Sequence, residues 1–417
     1  MKMNIQKIYI SIFFYLFLLI AIPISGFGQS ELRNYLEEAA ANNSGLKAKF
    51  NDYLAALERA PQVKALPDPQ VAFAYFIKPV ETRMGPQEFK FSASQMFPWF
   101  GTLKAKENSA IQAAKAKYEA FEEAKAKLFH EIRTTYYNLY FNKKAITISL
   151  DNIDILQSFR KMSEIKLEAG LVSALDGYRI EIEMGDLENQ LALLRDKQFV
   201  LEVMFNNLLN TENKEEIWLP KELWHTDLAL SKEAILDSIQ SNNHQLLNLS
   251  FQQQALSFRK EVAKKAGKPN INIGFDYIVT GKGDMNLAGT DVFVFPKIGL
   301  TIPLYRNKYK AMIKEVVYLE TAKELEQLNK SNILETLFEK GWKDYRDGER
   351  RIHLFHSQLE LARKALHLLE TNYATGNKNF EEILRMERKL LKYNLELEKA
   401  KADKQAAISF VSYLMGK

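Results

Sequence analysis

None of the 417 residues is cysteine. Disulfides, thiolate metal sites and thiol catalysis are therefore excluded. A bacterial lipoprotein anchor is excluded as well, because it needs a cysteine at the cleavage site. Proline is scarce, at 11, and confined to a few places; glycine numbers 18. Long charged stretches rich in Ala and Leu, and free of proline, read as long helices. No Gly-rich phosphate loop, Ser/His/Asp arrangement or zinc spacing occurs, so neither an enzyme nor a cofactor is expected. Of six histidines only His353 and His356 are close. Without a third ligand nearby they do not make a metal site. Excess charge of one sign is missing too: 57 Lys and Arg stand against 52 Asp and Glu. With no basic patch interleaved with aromatics, nucleic acid is not an expected partner.

What the chain does have begins at its N-terminus. Lys2 and Lys7 are followed by an apolar run, Ile8 to Ile22, and then by Ser25, Gly26 and Gly28. This order reads as a secretory signal over residues 1–28, cleaved after Gly28. Its loss removes two lysines, leaving 55 basic against 52 acidic residues, a net charge of +3. No later stretch is long and apolar enough for a transmembrane helix, which needs about 20 residues. The mature chain is then either soluble in the envelope or a membrane β-barrel.

The chain also repeats itself. Asn42-Asn43-Ser44-Gly45-Leu46 matches Asn242-Asn243-His244-Gln245-Leu246. Pro69 to Tyr75 matches Pro269 to Phe275, Phe97-Pro98-Trp99 matches Ile302-Pro303-Leu304, and Gly170 matches Gly376. These matches keep their order with a slowly growing offset. They divide the chain into a first repeat, 29–219, and a second, 220–417. Each opens with a helix, Glu31 to Ala60 and Ser231 to Lys265, which proline ends. Two strand-like runs follow, at about 69–79 and 88–97, then at about 269–280 and 291–302. Next comes a proline-free stretch, Leu103 to Glu168 and Tyr309 to Tyr373, about 100 Å long as a helix. Turns at about 169–173 and 375–379 lead into return helices, Ala174 to Leu209 and Phe380 to Met415. Apolar residues recurring at three and four, such as Leu128, Ile132, Tyr136 and Leu139, predict antiparallel coiled-coil packing.

The strand-like runs alternate with period two. Ile271, Ile273, Phe275, Tyr277 and Val279 point one way, Asn272, Gly274 and Asp276 the other. Val71, Phe73 and Tyr75, and Phe89 and Phe91, alternate likewise. Each run has about the 9–11 residues of a membrane-crossing strand. An apolar aromatic face opposite a small, polar one suits lipid outside and water inside, although a soluble sheet with one buried face alternates in the same way. Four strands cannot close a barrel, so a membrane role demands an oligomer.

Leu66-Pro67-Asp68-Pro69, Phe97-Pro98-Trp99-Phe100-Gly101 and Ala169-Gly170-Leu171-Val172-Ser173, set in this order of elements, resemble landmarks of the TolC-like outer-membrane efflux proteins. The first two segments also resemble the branch serving metal-exporting resistance-nodulation-division pumps. The resemblance implies a mainly α fold with a β-barrel portion: long helical hairpins forming an α-barrel, and four transmembrane strands per protomer, twelve in a homotrimer. It implies an exit duct in the outer membrane reaching into the periplasm, working with a periplasmic adaptor and an inner-membrane pump. The adaptor would dock on Gly170, Leu171 and Ser173 at one tip and on Gly376, Asn377 and Asn379 at the other. There the second tip, with Asn377, Lys378 and Asn379, departs from the Gly-Leu-x-Ser pattern. Carboxylate rings narrowing the lumen carry over to Glu382 and its repeat mate Asp176. A further carboxylate position of the family is Arg385 here, with Arg179 as its mate. Local i,i+3 pairs between these acids and bases are the competing arrangement. The exit duct of a type I protein secretion system is the second functional expectation. A periplasmic coiled-coil adaptor is a weaker third, since an adaptor has one helical hairpin rather than two.

Overall fold

The computed structural model describes residues 27–83, 85–211, 216–282, 290–374 and 380–417. Residues 1–26 of the expected signal segment over 1–28, and the second tip, 375–379, lie outside the described residues. In chain order the elements are α1 (Phe27–Asn42), α2 (Ser44–Leu57), α3 (Arg59–Lys64), β1 (Gln70–Val80), β2 (Gln87–Phe97), α4 (Thr102–Glu168), α5 (Leu175–Leu209), α6 (Lys232–Asn242), α7 (His244–Ala266), β3 (Asn270–Thr280), β4 (Val292–Thr301), α8 (Arg306–Ala374) and α9 (Phe380–Leu414). The helices α4 and α8 have 67 and 69 residues. Each is about 100 Å long at 1.5 Å per residue.

Rods of that length are held by their neighbours. In one half of the molecule the row runs α5, α4, α9, α8; in the other α2 and α3, α4, α7, α8. The core is accordingly a series of clusters rather than one centre. Tyr136, Leu139, Tyr140 and Phe205 fill one, with Leu32 and Leu36 of α1 across them. Leu156, Ile180, Phe380, Ile383 and Leu384 fill a second near the turn after α4. Ile235, Ile239, Phe338 and Val411 fill a third. Gly348 lets α9 approach α8 closely, since a Cβ there would lie 3.1 Å from Lys404 Cα.

One expectation fails in both repeats. The single opening helices read over Glu31 to Ala60 and Ser231 to Lys265 are broken, at Asn43 and at Asn243, and the first again at Glu58. The cause is capping. Asn43 Oδ1 accepts from Leu46 N at 3.0 Å, and Asn243 Oδ1 from Gln245 N at 3.0 Å. Each amide also donates to a carbonyl near the end of a return helix, Asn43 to Leu208 O at 3.0 Å and Asn243 to Leu414 O at 2.9 Å. An asparagine satisfied twice outcompetes helix continuation. Asn243 is the more buried of the two. Asn243→Ala is expected to lower unfolding free energy by about 2 kcal/mol, from the lost cap and the stranded carbonyl. Asn43→Ala should cost less. Urea unfolding checks both, and equal costs would refute the ranking.

The four strands form one antiparallel sheet in the order β1-β2-β3-β4. Both outer strands are therefore edges. A bulge between Gly274 and Asp276 shifts the β3–β4 register, with Phe295 and Pro296 in its loop on the β4 side.

Candidate functional site

The register aligns side chains across the sheet. Phe73, Phe91, Tyr277 and Phe293 form one row, and Val71, Ala93 and Phe275 another on the same face. Ile271 pairs with Leu300 and Ile273 with Ile298 on that face too. Most of these residues stand in the open. Phe73, Tyr75, Phe293, Phe295 and Ile298 are each at least 61% exposed. A continuous aromatic and branched face in water is unstable unless something apolar covers it. The opposite face carries Ala72, Ser92, Ser94, Gly274 and Gly299, with Asp276 at its centre. Lys90 Nζ lies 2.7 Å from Asp276 Oδ2, and Lys297 Nζ 3.0 Å from Asp276 Oδ1. That bracket ties β2, β3 and β4 together and places two ammonium groups and one carboxylate on the polar face. Strands of 10 or 11 residues match the span of a tilted membrane strand. No described helix is long and apolar enough to cross a membrane.

At the opposite end of the long helices is the turn between α4 and α5. Gly170 N donates to Leu167 O and Leu171 N to Lys166 O, both at 2.9 Å. These two bonds are the paired closure of a helix C-terminus with a left-handed residue, and Gly170 has φ +67°. Beyond it Leu171 and Ser173 are exposed, with Ser173 Oγ accepting from Leu175 N at 3.3 Å. The turn thus presents an apolar side chain to solvent on a rigid frame. Gly376, Asn377 and Asn379 fall in the segment outside the described residues.

The sequence placed Asp176, Arg179, Glu382 and Arg385 just beyond the turns. The structure pairs them along each helix: Arg179 is 3.6 Å from Asp176 and Arg385 is 3.7 Å from Glu382. Asp176 is buried, and that burial raises its pKa against the opposing charge of Arg179. Glu382 is the more open of the two carboxylates. Arg179 also reaches Glu381 on the other hairpin at 3.0 Å. Two further links join the hairpins. Arg388 on α9 meets Glu183 on α5 at 2.8 Å. Lys166 caps Tyr373 O at 2.9 Å and sits 3.6 Å from the ring centroid of Tyr373.

Sequence reasoning missed Glu381, Arg388, Glu183 and Lys166. Their partners lie on the other hairpin, and no local period reveals such pairs. It also missed Glu387, which is 5% exposed between α4, α8 and α9. Among the described residues the only side chain that hydrogen-bonds it is Asn152, at 3.5 Å. Burial, reinforced by the like charge of Glu370, lifts its pKa to about 7. Among the described residues no group of acids and histidines is arranged to hold a metal.

The wall of helices has open ends like those of the sheet. On α8, Leu354, Leu361 and Leu368 recur every seven residues and are exposed. On α5, at the other end of the row, Tyr178, Ile182, Leu193, Val200 and Met204 form a similar exposed stripe.

No protein-family model matches the chain, and no curated protein does either. Solved structures do. The outer-membrane channel OprN is similar with a TM-score of 0.77 at 15% identity, over 93% of this chain and 90% of that one. The outer membrane protein VceC of Vibrio cholerae has a TM-score of 0.75 at 12% identity, over 93% and 96%. The open state of the Neisseria gonorrhoeae MtrE outer membrane channel has a TM-score of 0.74 at 13% identity, over 93% and 89%. The fold is TolC-like.

Proposed function

We propose that the chain is a subunit of an outer-membrane channel, closed by three copies and serving as the passive exit duct of a tripartite efflux system. The observation that carries this reading is the sheet. It has two unpaired edges, one apolar face in the open and one small, polar face. Unpaired strand edges are not tolerated in lipid, and closure removes them. Pairing β4 of one copy with β1 of the next, three times over, makes a twelve-stranded barrel within the known range. The same rotation brings the exposed stripe of α8 against that of α5 in the neighbour. The similarity to solved outer-membrane channels supports the same assembly.

In this reading α4, α5, α8 and α9 continue the barrel as a periplasmic conduit. The turn at Gly170, Leu171 and Ser173 is then the tip on which an adaptor docks, together with Gly376, Asn377 and Asn379. An inner-membrane pump delivers the cargo, and the duct supplies no chemistry of its own. Three copies of Glu382 would surround the lumen near the tip and favour cations there, with the buried Asp176 behind them beside Arg179.

The first test is membrane fractionation with gels run on unheated samples. A heat-sensitive trimer in the outer-membrane fraction supports the channel; a soluble monomer overturns it. Asp176→Ala combined with Glu382→Ala is expected to raise single-channel conductance in planar bilayers. Unchanged conductance would remove these carboxylates from the constriction. Leu171→Asp is expected to abolish the resistance that the native channel restores to a strain lacking it, with trimer level unchanged. Full resistance would place docking elsewhere.

A further inference from the structure

Away from the sheet and the tip, a cavity of about 490 Å³ lies between α1, α4, α9 and the segment joining the two repeats. Its volume falls in the range of small-molecule sites. Its lining holds three cationic side chains, Arg33, Arg133 and Lys417, and no acidic side chain. Arg33 is engaged with Glu37 at 2.9 Å. Arg133 is different. Among the described residues it makes no ion pair and no hydrogen bond, and the Phe129 ring lies 6.0 Å from it. Burial holds its guanidinium below the ordinary value, against a smaller opposing effect of the neighbouring Tyr137.

A half-buried guanidinium without an anion is costly, because burial removes water that nothing replaces. The cavity offers a second polar group in the same condition. Thr226 Oγ1 is buried and has no hydrogen-bond partner. Beside them Tyr137 and Trp224 meet edge to face, with ring centroids 6.3 Å apart, and leucines of α1 line the cavity across from them. Cationic fork, free hydroxyl and apolar wall together define an amphipathic anion.

We infer that this cavity binds a small organic monoanion, a carboxylate carried on an aromatic or apolar body. Arg133 takes the carboxylate through two parallel N–H donors, the geometry for which guanidinium is suited. The Thr226 hydroxyl donates a third bond, and the body packs against Tyr137 and Trp224. The site is independent of the channel reading, since it is built within one copy and uses no residue of the barrel or tip.

The experiment uses the full detergent-purified protein, with benzoate as the probe and benzamide as its neutral isostere, followed by saturation-transfer NMR. Benzoate is expected to bind at least about tenfold more tightly than benzamide, as expected for a charge-assisted contact. Arg133→Gln should weaken benzoate at least about tenfold, and Arg133→Lys should retain part of the affinity. Arg133→Met should raise the melting temperature without ligand, because it removes an uncompensated charge. Equal binding of the two probes, no benzoate binding, or undiminished binding by Arg133→Gln would each overturn the site. So would a lower melting temperature for Arg133→Met, which would mean that a neighbouring copy or the chain terminus already supplies the anion.

Discussion

Replacing Leu361 and Leu368 together with aspartate is expected to abolish the oligomer. Both leucines are more than 60% exposed in the single chain, and with Leu354 they recur every seven residues on α8. A heptad of leucines is a helix-packing seam. Among the described residues no element covers it, and in the proposed trimer its partner is the neighbouring copy. Burying one leucine contributes roughly 1.5–3 kcal/mol. A trimer contains six of them at these two positions, and each aspartate would replace that gain with the cost of a desolvated charge. The fold of the single chain should survive, because the substituted side chains already stand in water. Unheated gels should show monomer only, with native helical circular dichroism. A trimer at the native level would place the contact between copies elsewhere and weaken the channel reading with it.

Glu387→Gln is expected to remove a pH dependence from the stability of the tip region. Glu387 lies in the seam where α9 packs on α4, facing Asn152 of α4 and Glu370 of α8. Among the described residues no cation compensates it there. Its pKa is about 7 in the fold against 4.5 for an ordinary glutamate. The folded chain therefore holds a proton, between those two values, that the unfolded chain has released. Stability is full below about pH 4.5, declines as pH rises through the interval, and levels off above about pH 7. The loss is on the order of 3 kcal/mol. Native protein should melt at a lower temperature at pH 8 than at pH 5, and the variant should narrow that gap. Parallel shifts in both proteins would show that Glu387 is ionised in the fold at neutral pH. The same carboxylate links stability to position, since it lies among residues that hold the two hairpins together. A seam weakened at alkaline pH is weakened at the end of the long helices where Arg179 and Glu381, and Arg388 and Glu183, also join the hairpins.

Much of the architecture was legible because it rests on local rules. Alternation in Ile271 to Val279 follows from the two-residue period of a strand, and those residues lie in β3. The absence of proline from Leu103 to Glu168 permits an unbroken helix, and α4 runs through it. Gly170 announced a turn because a left-handed residue closes a helix, and it has that conformation. The breaks at Asn43 and Asn243 were less legible. Both asparagines were visible as a repeated pair, but a helix interior tolerates asparagine. What stops the helix is the second bond each makes, to Leu208 O and Leu414 O, far away in the chain.

By itself the sequence determined the class of the molecule, two long-helix repeats each with a pair of alternating strands, and it ruled out thiol chemistry and a helical membrane span beyond residue 28. Those properties depend on composition and on periods of two and about 3.6 residues, which neighbours along the chain express on their own. Only the tertiary structure decided which charges meet. Arg179 reaches Glu381, Arg388 reaches Glu183, Lys90 and Lys297 bracket Asp276, and Arg133 is left without an acid. The physical reason is range. A backbone pattern is set within a few residues, whereas an ion pair or a buried charge depends on which distant surfaces pack together and on how much water they exclude.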